Sequence, residues 1–261
     1  MPHKPRRGVR GSPRESRTRM LRAKAERVAR QLEDFLGLPS QGQNLPPPMD
    51  MLIATILSQN TNDKNSHRAY TLLRKKYPRW GNVADAPVRS IAAAIRSGGM
   101  ARQKAARIKQ VLATVRSRYH AYDLTALRAK ANQEVIDELV QFNGVGVKTA
   151  ACVLLFSLGR DVFPVDTHVH RICTRLGLVP GSGGPERTFE LMQTLVPKGK
   201  GYAFHTNLIR FGRKVCRSAN PACGQCPLFE ECSFQGKNRA VQSRRNTSRS
   251  NHDFMLLDNV S

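Results

Sequence analysis

The first candidates for chemistry in this 261-residue chain are Lys148 and Asp166. Lys148 follows Gly144-Val145-Gly146, a turn between two helical stretches, and so falls in the first turn of the second helix. A cation is disfavoured at a helix amino terminus. The helix dipole, nearby basic groups and partial burial would all lower its pKa, and a neutral amine is a nucleophile. Asp166 lies in Pro164-Val165-Asp166-Thr167-His168. Either it or Thr167 can cap the helix that starts there. Facing Lys148 across a cleft, it would instead relay protons and stabilise a positively charged sugar-like transition state. The plain alternatives are a solvated surface lysine and a simple helix cap.

Four of the six cysteines are clustered. Cys216, Cys223, Cys226 and Cys232 form C-x6-C-x2-C-x5-C within one short loop. Four thiolates can hold a structural zinc, but zinc ribbons use two separated C-x2-C pairs. Here only Cys223 and Cys226 make such a pair. A single compact loop suits a [4Fe–4S] cube, whose iron corners lie farther apart. Both readings stay open on spacing alone. Cys152 and Cys173 sit among Ala, Val, Leu and Ile and read as buried core thiols. The segment Gln141–Ala150 reads as a helix-hairpin-helix. In it Gly144 and Gly146 allow positive φ and close approach to a phosphate, which the amides of the following helix can bind. An ordinary helix connection is the alternative.

Composition points to a polyanionic partner. The formal charge is +24, with 43 Lys and Arg against 19 Asp and Glu. Residues 1–30 carry +9 and residues 237–261 carry +3, which leaves +12 on residues 31–236. The core itself is basic, so nucleic acid is the first partner class and an anionic membrane surface the second. No apolar run is long enough to span a bilayer. The Arg-rich amino terminus fits either a transit peptide or a DNA-contacting arm.

The elements that must position these residues are helices. Residues 1–20 are expected to be irregular and basic, as are residues 237–261. A helix is predicted over Thr18–Leu36, followed by a linker over Leu38–Pro48 with four prolines. From Asp50 to Arg160 the apolar positions keep helical spacing, as in Leu52, Ile53, Ile56 and Leu57, or Ile108, Val111, Leu112 and Val115. Another helix starts near Asp166. Gly181–Pro185 reads as a loop, with helices near 186–196 and 201–213 after it. The fold class is all-α.

In this order, Leu57-Ser58-Gln59-Asn60-Thr61-Asn62-Asp63, the hairpin with Lys148, Val165-Asp166-Thr167-His168 and the cysteine loop resemble the endonuclease III family of helix-hairpin-helix DNA glycosylases. The resemblance runs from about Asp50 to Ser233. It implies two helical lobes flanking a DNA-binding cleft. Residues 46–160 would form a six-helix barrel, and residues 21–45 plus 161–236 a domain holding the [4Fe–4S] cluster. It implies a monomeric bifunctional DNA glycosylase and abasic-site lyase of base excision repair. That enzyme would act on double-stranded DNA and excise oxidised pyrimidines. Lys148 would attack the sugar C1′ and nick the strand by β-elimination through a Schiff base, with Asp166 assisting. The compartment would be cytoplasm or nucleoid in a bacterium or archaeon, and nucleus or mitochondrion in a eukaryote.

By the same resemblance Asn60, or alternatively its neighbour Gln59, fills the gap left by a flipped base. Met100 would act as an apolar plug from the other side. Packing in the core is the alternative for Met100, and loop capping for Asn60. Gly144, Gly146, His168 and Arg217 complete the expected DNA contacts. Three departures stand out. The hairpin reads Phe142-Asn143-Gly144 where the family has Leu-Pro-Gly. Arg217 alone is basic between Cys216 and Cys223. The stretch Phe163–Pro180 also resembles plant glycosylases that excise 5-methylcytosine. Two other readings therefore stand beside the first. One is a glycosylase for mismatched uracil or thymine, or for methylated cytosine. The other is a non-catalytic DNA-binding or redox module.

Overall fold

The computed structural model describes residues 12–242. Among them the chain is all-α, with twelve α-helices, short 3-10 turns and no strand. The helices form around two separate apolar cores.

The first core is centred on α2 (Pro48–Ser58), in which nine of eleven residues are buried. A helix that is apolar on every side must be covered on every side. α3 (Asp63–Lys76), α4 (Trp80–Asp85), α5 (Val88–Ala94), α6 (Ala101–Tyr119), α7 (Asn132–Leu139) and α8 (Val147–Phe156) supply the cover. α8 is the second helix buried nearly throughout. One carboxylate organises the polar side of this core. Asp50 accepts from the Tyr70 hydroxyl at 2.5 Å and from Trp80 Nε1 at 3.2 Å, with Arg74 Nε at 3.5 Å. Burial, with Asp50 beside it, raises the Tyr70 phenol far above its usual value, so it stays a donor.

The second core joins the two ends of the described chain. α1 (Pro13–Leu36) contributes Ala25, Val28, Ala29 and Leu32. α9 (Thr167–Arg175), α10 (Gly184–Leu195) and α11 (Gly201–Lys214) supply most of the rest. Four polar links hold α1 there, one of them from Arg22 Nε to the Thr194 carbonyl at 2.7 Å. Lys200 Nζ lies 2.9 Å from Glu33, Arg27 Nε lies 2.6 Å from Glu231, and Asn207 Nδ2 donates to the Gly37 carbonyl at 3.0 Å. Asp161, at the crossing between the two cores, accepts from the amides of Gly199 at 2.5 Å and Gly201 at 2.9 Å. That interaction satisfies free amides where α11 begins.

Three expectations change. α1 begins at Pro13, several residues before Thr18, so residues 13–20 are helical. Ser12 and Glu15 form a capping box, with Ser12 N–H to Glu15 Oε2 at 2.8 Å and Glu15 N–H to Ser12 Oγ at 3.3 Å. The Arg-rich composition hides that cap. The predicted irregular tail opens with a short helix, α12 (Lys237–Gln242), tied down where Lys237 Nζ meets the carbonyls of Phe229 and Cys232, both at 2.9 Å. α10 starts inside the predicted loop at Gly184, with Pro185 in its first turn, where a missing N–H costs nothing. Residues 1–11 and 243–261 of the two expected tails lie outside the described residues. No helix among the described residues is long and apolar enough to cross a membrane.

The Asp50 hub yields a direct test. Asp50→Ala strands the Tyr70 hydroxyl and the Trp80 N–H, and is expected to destabilise the protein by about 2–4 kcal/mol. Denaturant unfolding monitored through Trp80, the only tryptophan, measures it.

Candidate active site

A cavity of about 440 Å³ opens between the two cores, and Lys148 and Asp166 both line it. Lys148 is the second residue of α8, half-buried, behind Gly146 as helix cap. Asp166 caps α9, with Oδ1 accepting from the Val169 amide at 2.7 Å. The helix-cap alternative is therefore present in the structure, yet it occupies one carboxylate oxygen and leaves Oδ2 for other work.

Asn60, which lines the cavity, and Met100, which lies against Asn60 and lines a separate shallow pocket, are exposed and have left-handed backbone conformations. Asn60 has φ 53° and Met100 has φ 48°. Such backbone is costly for residues other than glycine and persists only where the surroundings hold it. Met100 is 51% exposed, so it is not packed in the core. The two side chains meet, with Asn60 Nδ2 3.9 Å from Met100 Sδ. Gln59 behaves differently from Asn60. Its Oε1 accepts from Arg107 Nη1 at 2.6 Å and its Nε2 donates to the Gly144 carbonyl at 3.2 Å. In this conformation Gln59 ties the α2–α3 loop to the hairpin.

The hairpin glycines split. Gly144 has φ 74° and lies against Arg107, whose Nε would sit 2.0 Å from any Cβ added there. Gly146, expected to need positive φ, has φ −100° and open space around its Cα. Its extended conformation comes from its place as the residue capping α8. The amides of Gly146, Val147 and Lys148 have no backbone acceptor among the described residues. His168 lines the cavity, and its Nδ1 lies 3.1 Å from Arg171 Nη2. Burial lowers its pKa, Asp166 opposes that, and Arg171 adds to it. Arg217 is half-buried in its own loop and donates to the Asn220 carbonyl at 3.0 Å.

Several residues at the site escaped the sequence reading. Arg213 pairs with Asp63, joining the end of α11 to the start of α3 across the cavity mouth, with Nη2 to Oδ1 at 3.0 Å. Cys152 is buried as expected but also forms cavity wall, one turn along α8 from Lys148. Burial raises its thiol pKa and the Lys148 ammonium opposes that. His205 lines the same wall, fully buried. Lys104 is 2% exposed and donates to the carbonyls of Leu57 at 2.7 Å and Gly98 at 2.8 Å. Lys104 alone had left a trace in the sequence: it precedes Ile108 by four, on the face of α6 that turns inward.

The four clustered cysteines lie partly exposed in the loop after α11, and Cys216, Cys226 and Cys232 pack against the second core. Burial pushes the Cys226 thiol up to about 12, and the other three sulfurs are near enough to add to that. Arg175 Nη1 approaches Cys216 Sγ at 3.3 Å, and the Phe234 amide donates to Cys232 Sγ at 3.4 Å. Donors aimed at sulfur suit thiolates bound to a metal or cluster. No group of three or more such side chains among the described residues is gathered at single-ion spacing.

Lys104 can be tested through pH. Burial, with Arg107 adding to it, lowers its pKa from 10.5 to about 8. Between those values the unfolded chain binds more protons than the folded one, so stability gains with rising pH. Lys104→Met strands two carbonyls and is expected to cost about 1–3 kcal/mol. The gap between wild type and variant should widen from pH 8 to 10.5 in denaturant titrations.

Comparison with known proteins gives this geometry a family. The model of the HhH-GPD superfamily of base excision DNA repair proteins matches residues 53–198, which include Lys148 and Asp166. Endonuclease III of Thermotoga maritima is 33% identical over 202 residues, covering 77% of this chain and 90% of that protein. A protein of Arabidopsis thaliana named as a DNA glycosylase is 39% identical over 168 residues, and the match spans 57% of its length. Among solved structures, a non-covalent endonuclease III–DNA complex superposes with a TM-score of 0.73 at 26% identity, over 85% of this chain and 99% of that one. A trapped endonuclease III–DNA covalent intermediate gives 0.71 at 28% identity, over 85% and 98%. With more than half its length matched by the family model and an endonuclease III aligned along most of both chains, this protein belongs to the HhH-GPD superfamily of base excision DNA repair proteins, as an endonuclease III-like DNA glycosylase.

Proposed function

We propose that the protein is a bifunctional DNA glycosylase and abasic-site lyase acting on double-stranded DNA. The observation that carries this reading is the shared cavity, which is lined by an amine, a carboxylate and Asn60, with Met100 against Asn60. The covalent DNA intermediate trapped with an endonuclease III, 28% identical to this chain, supports it.

In this reading the unpaired amides at the start of α8 take a backbone phosphate. Asn60 and Met100 enter the duplex from the rim as one nucleotide swings into the cavity. The Lys148 amine, once it has given a proton to water, attacks C1′. The glycosidic bond breaks with its electron pair leaving on the base, which is protonated as it departs. The new secondary ammonium gives its proton to Asp166 Oδ2, and that proton passes to O4′ as the sugar ring opens to a Schiff base. Water then takes a C2′ proton, a C2′–C3′ double bond forms as the C3′–O bond breaks and the 3′ phosphate leaves, and hydrolysis of the Schiff base releases Lys148. Both reacting groups belong to one chain, so a monomer suffices.

The preferred base in this reading is a ring-oxidised pyrimidine, on the strength of identity to endonuclease III along nearly its whole length. A different base preference is the second reading. The Arabidopsis thaliana DNA glycosylase/AP lyase ROS1 is 31% identical over 170 residues, although these cover 12% of its length. We assign Cys216, Cys223, Cys226 and Cys232 as ligands of a [4Fe–4S] cluster. It would supply a cross-link that stiffens the loop between α11 and α12, and no chemistry at the cavity.

Borohydride trapping on a duplex with one abasic site tests the lyase. Wild type should form a covalent complex, and Lys148→Gln should form none while still binding the duplex. An untrapped wild type that binds DNA would leave a monofunctional glycosylase or a non-catalytic binder. Asp166→Asn should fold normally, because Asn caps as well as Asp. Its base release should nonetheless fall by about 10²–10⁴-fold, which a residue serving only as a cap would not do. Elemental analysis of purified protein should find iron and acid-labile sulfide in equal amounts. Stoichiometric zinc instead would overturn the cluster assignment.

A further inference from the structure

His205 is one of two imidazoles in the cavity wall, with His168, and the reaction above uses neither. It sits in the first half of α11, 1% exposed, on the wall shared by Lys148 and Asp166. Its Nδ1 lies 2.8 Å from the Pro164 carbonyl, which can only accept. The ring proton is therefore on Nδ1, and Nε2 carries a lone pair. Nε2 makes no hydrogen bond among the described residues. The ring is held between Phe156, 5.6 Å away centre to centre, and Phe163 at 6.1 Å. Turning the ring over would break the Pro164 bond in a buried place. Burial lowers the pKa to about 4, against a smaller opposing pull from Asp166, so the ring is neutral at ordinary pH. A residue that lines the cavity thus carries a fixed acceptor with no partner among the described residues.

Resting on the glycosylase reading, we propose that His205 is a specificity-determining residue whose Nε2 accepts a hydrogen bond from the imide N3–H of the base drawn into the cavity. The substrates so selected are uracil- and thymine-type rings, aromatic or ring-saturated. The Arg213 guanidinium on the same wall suits one of the two carbonyl oxygens that flank such an N–H. A base with no N–H at that edge leaves the buried lone pair unmatched, which is how a polar pocket rejects a near-isostere.

Single-turnover base release from duplexes carrying dihydrouracil or N3-methyldihydrouracil tests this with the full-length protein. Nicking of an abasic duplex, which has no base to recognise, is the internal reference. Wild type should release the N3-methyl base at least about tenfold more slowly. In His205→Asn the side-chain amide can still donate to the Pro164 carbonyl, but nothing occupies the place of Nε2. That variant should lose at least about tenfold in base release relative to abasic nicking, and should treat the two bases alike.

Wild type indifferent to N3-methylation would overturn the proposal, and this needs no mutant to fold. So would a variant in which release and nicking fall by the same factor, since that marks a structural role. A variant that releases the N3–H base at the wild-type rate would show that methyl bulk alone discriminates, and would also overturn it. If wild type forms no trapped species on the abasic duplex, it is the lyase reading that fails, and the comparison of the two bases still judges His205.

Discussion

The rim of the cleft depends on one buried ammonium. Lys104 Nζ reaches from α6 to the carbonyl of Leu57, in the last turn of α2, and to that of Gly98, in the turn before α6. These are the two places where the chain departs toward Asn60 and Met100. Both residues adopt left-handed backbone, which local sequence alone disfavours. A cation between two carbonyls removes the freedom either loop would need to relax. The same burial draws down the pKa of Lys104, so the brace is held at a cost that the surrounding apolar packing offsets.

Around that brace, the cleft exists because two cores meet without merging. α2 and α8 are apolar on nearly all faces and fill the first core, while α1 closes the second by crossing from the beginning of the chain to α11. Lys200–Glu33, Arg27–Glu231 and the Asn207–Gly37 bond hold that crossing. Arg213–Asp63 then spans the mouth of the cleft. Exposed ion pairs are individually weak. Their value here is geometric, because each joins segments distant in sequence, and Arg213–Asp63 does so at the cavity mouth.

Within the cavity several groups divide their valences between structure and the space they face. Asp166 commits Oδ1 to the α9 cap and keeps Oδ2 free. His205 commits Nδ1 to the Pro164 carbonyl just before Asp166 and keeps Nε2 free. Gln59 spends both ends of its amide on Arg107 and Gly144, and so acts as a strut in this structure. A half-committed side chain is already oriented when a ligand arrives, so little ordering entropy remains to be lost on binding.

Much of this was legible in the sequence because it is local. The all-α class followed from apolar spacing along α2, α6 and α8, the turn before Lys148 from Gly144, and the α9 cap from Asp166 and the apolar residues after it. The cysteine spacing stood out because all four sulfurs lie in one short loop. Other features were hidden because they join distant segments or depend on weak local signals swamped by composition. The α1 capping box lay inside an Arg- and Pro-rich run, and α12 forms where Lys237 meets carbonyls of the cysteine loop. No spacing rule links Lys104 to Leu57, Arg213 to Asp63, or His205 to Pro164. Gly146 illustrates the same limit: its residue type permits positive φ, but its place before α8 made it extended. The sequence by itself determined which residues could be nucleophile, acid, cap or thiolate, because those properties belong to side-chain chemistry. Only the tertiary structure decided which of them share a cavity, since burial and hydrogen-bond partners come from segments that meet when the chain folds.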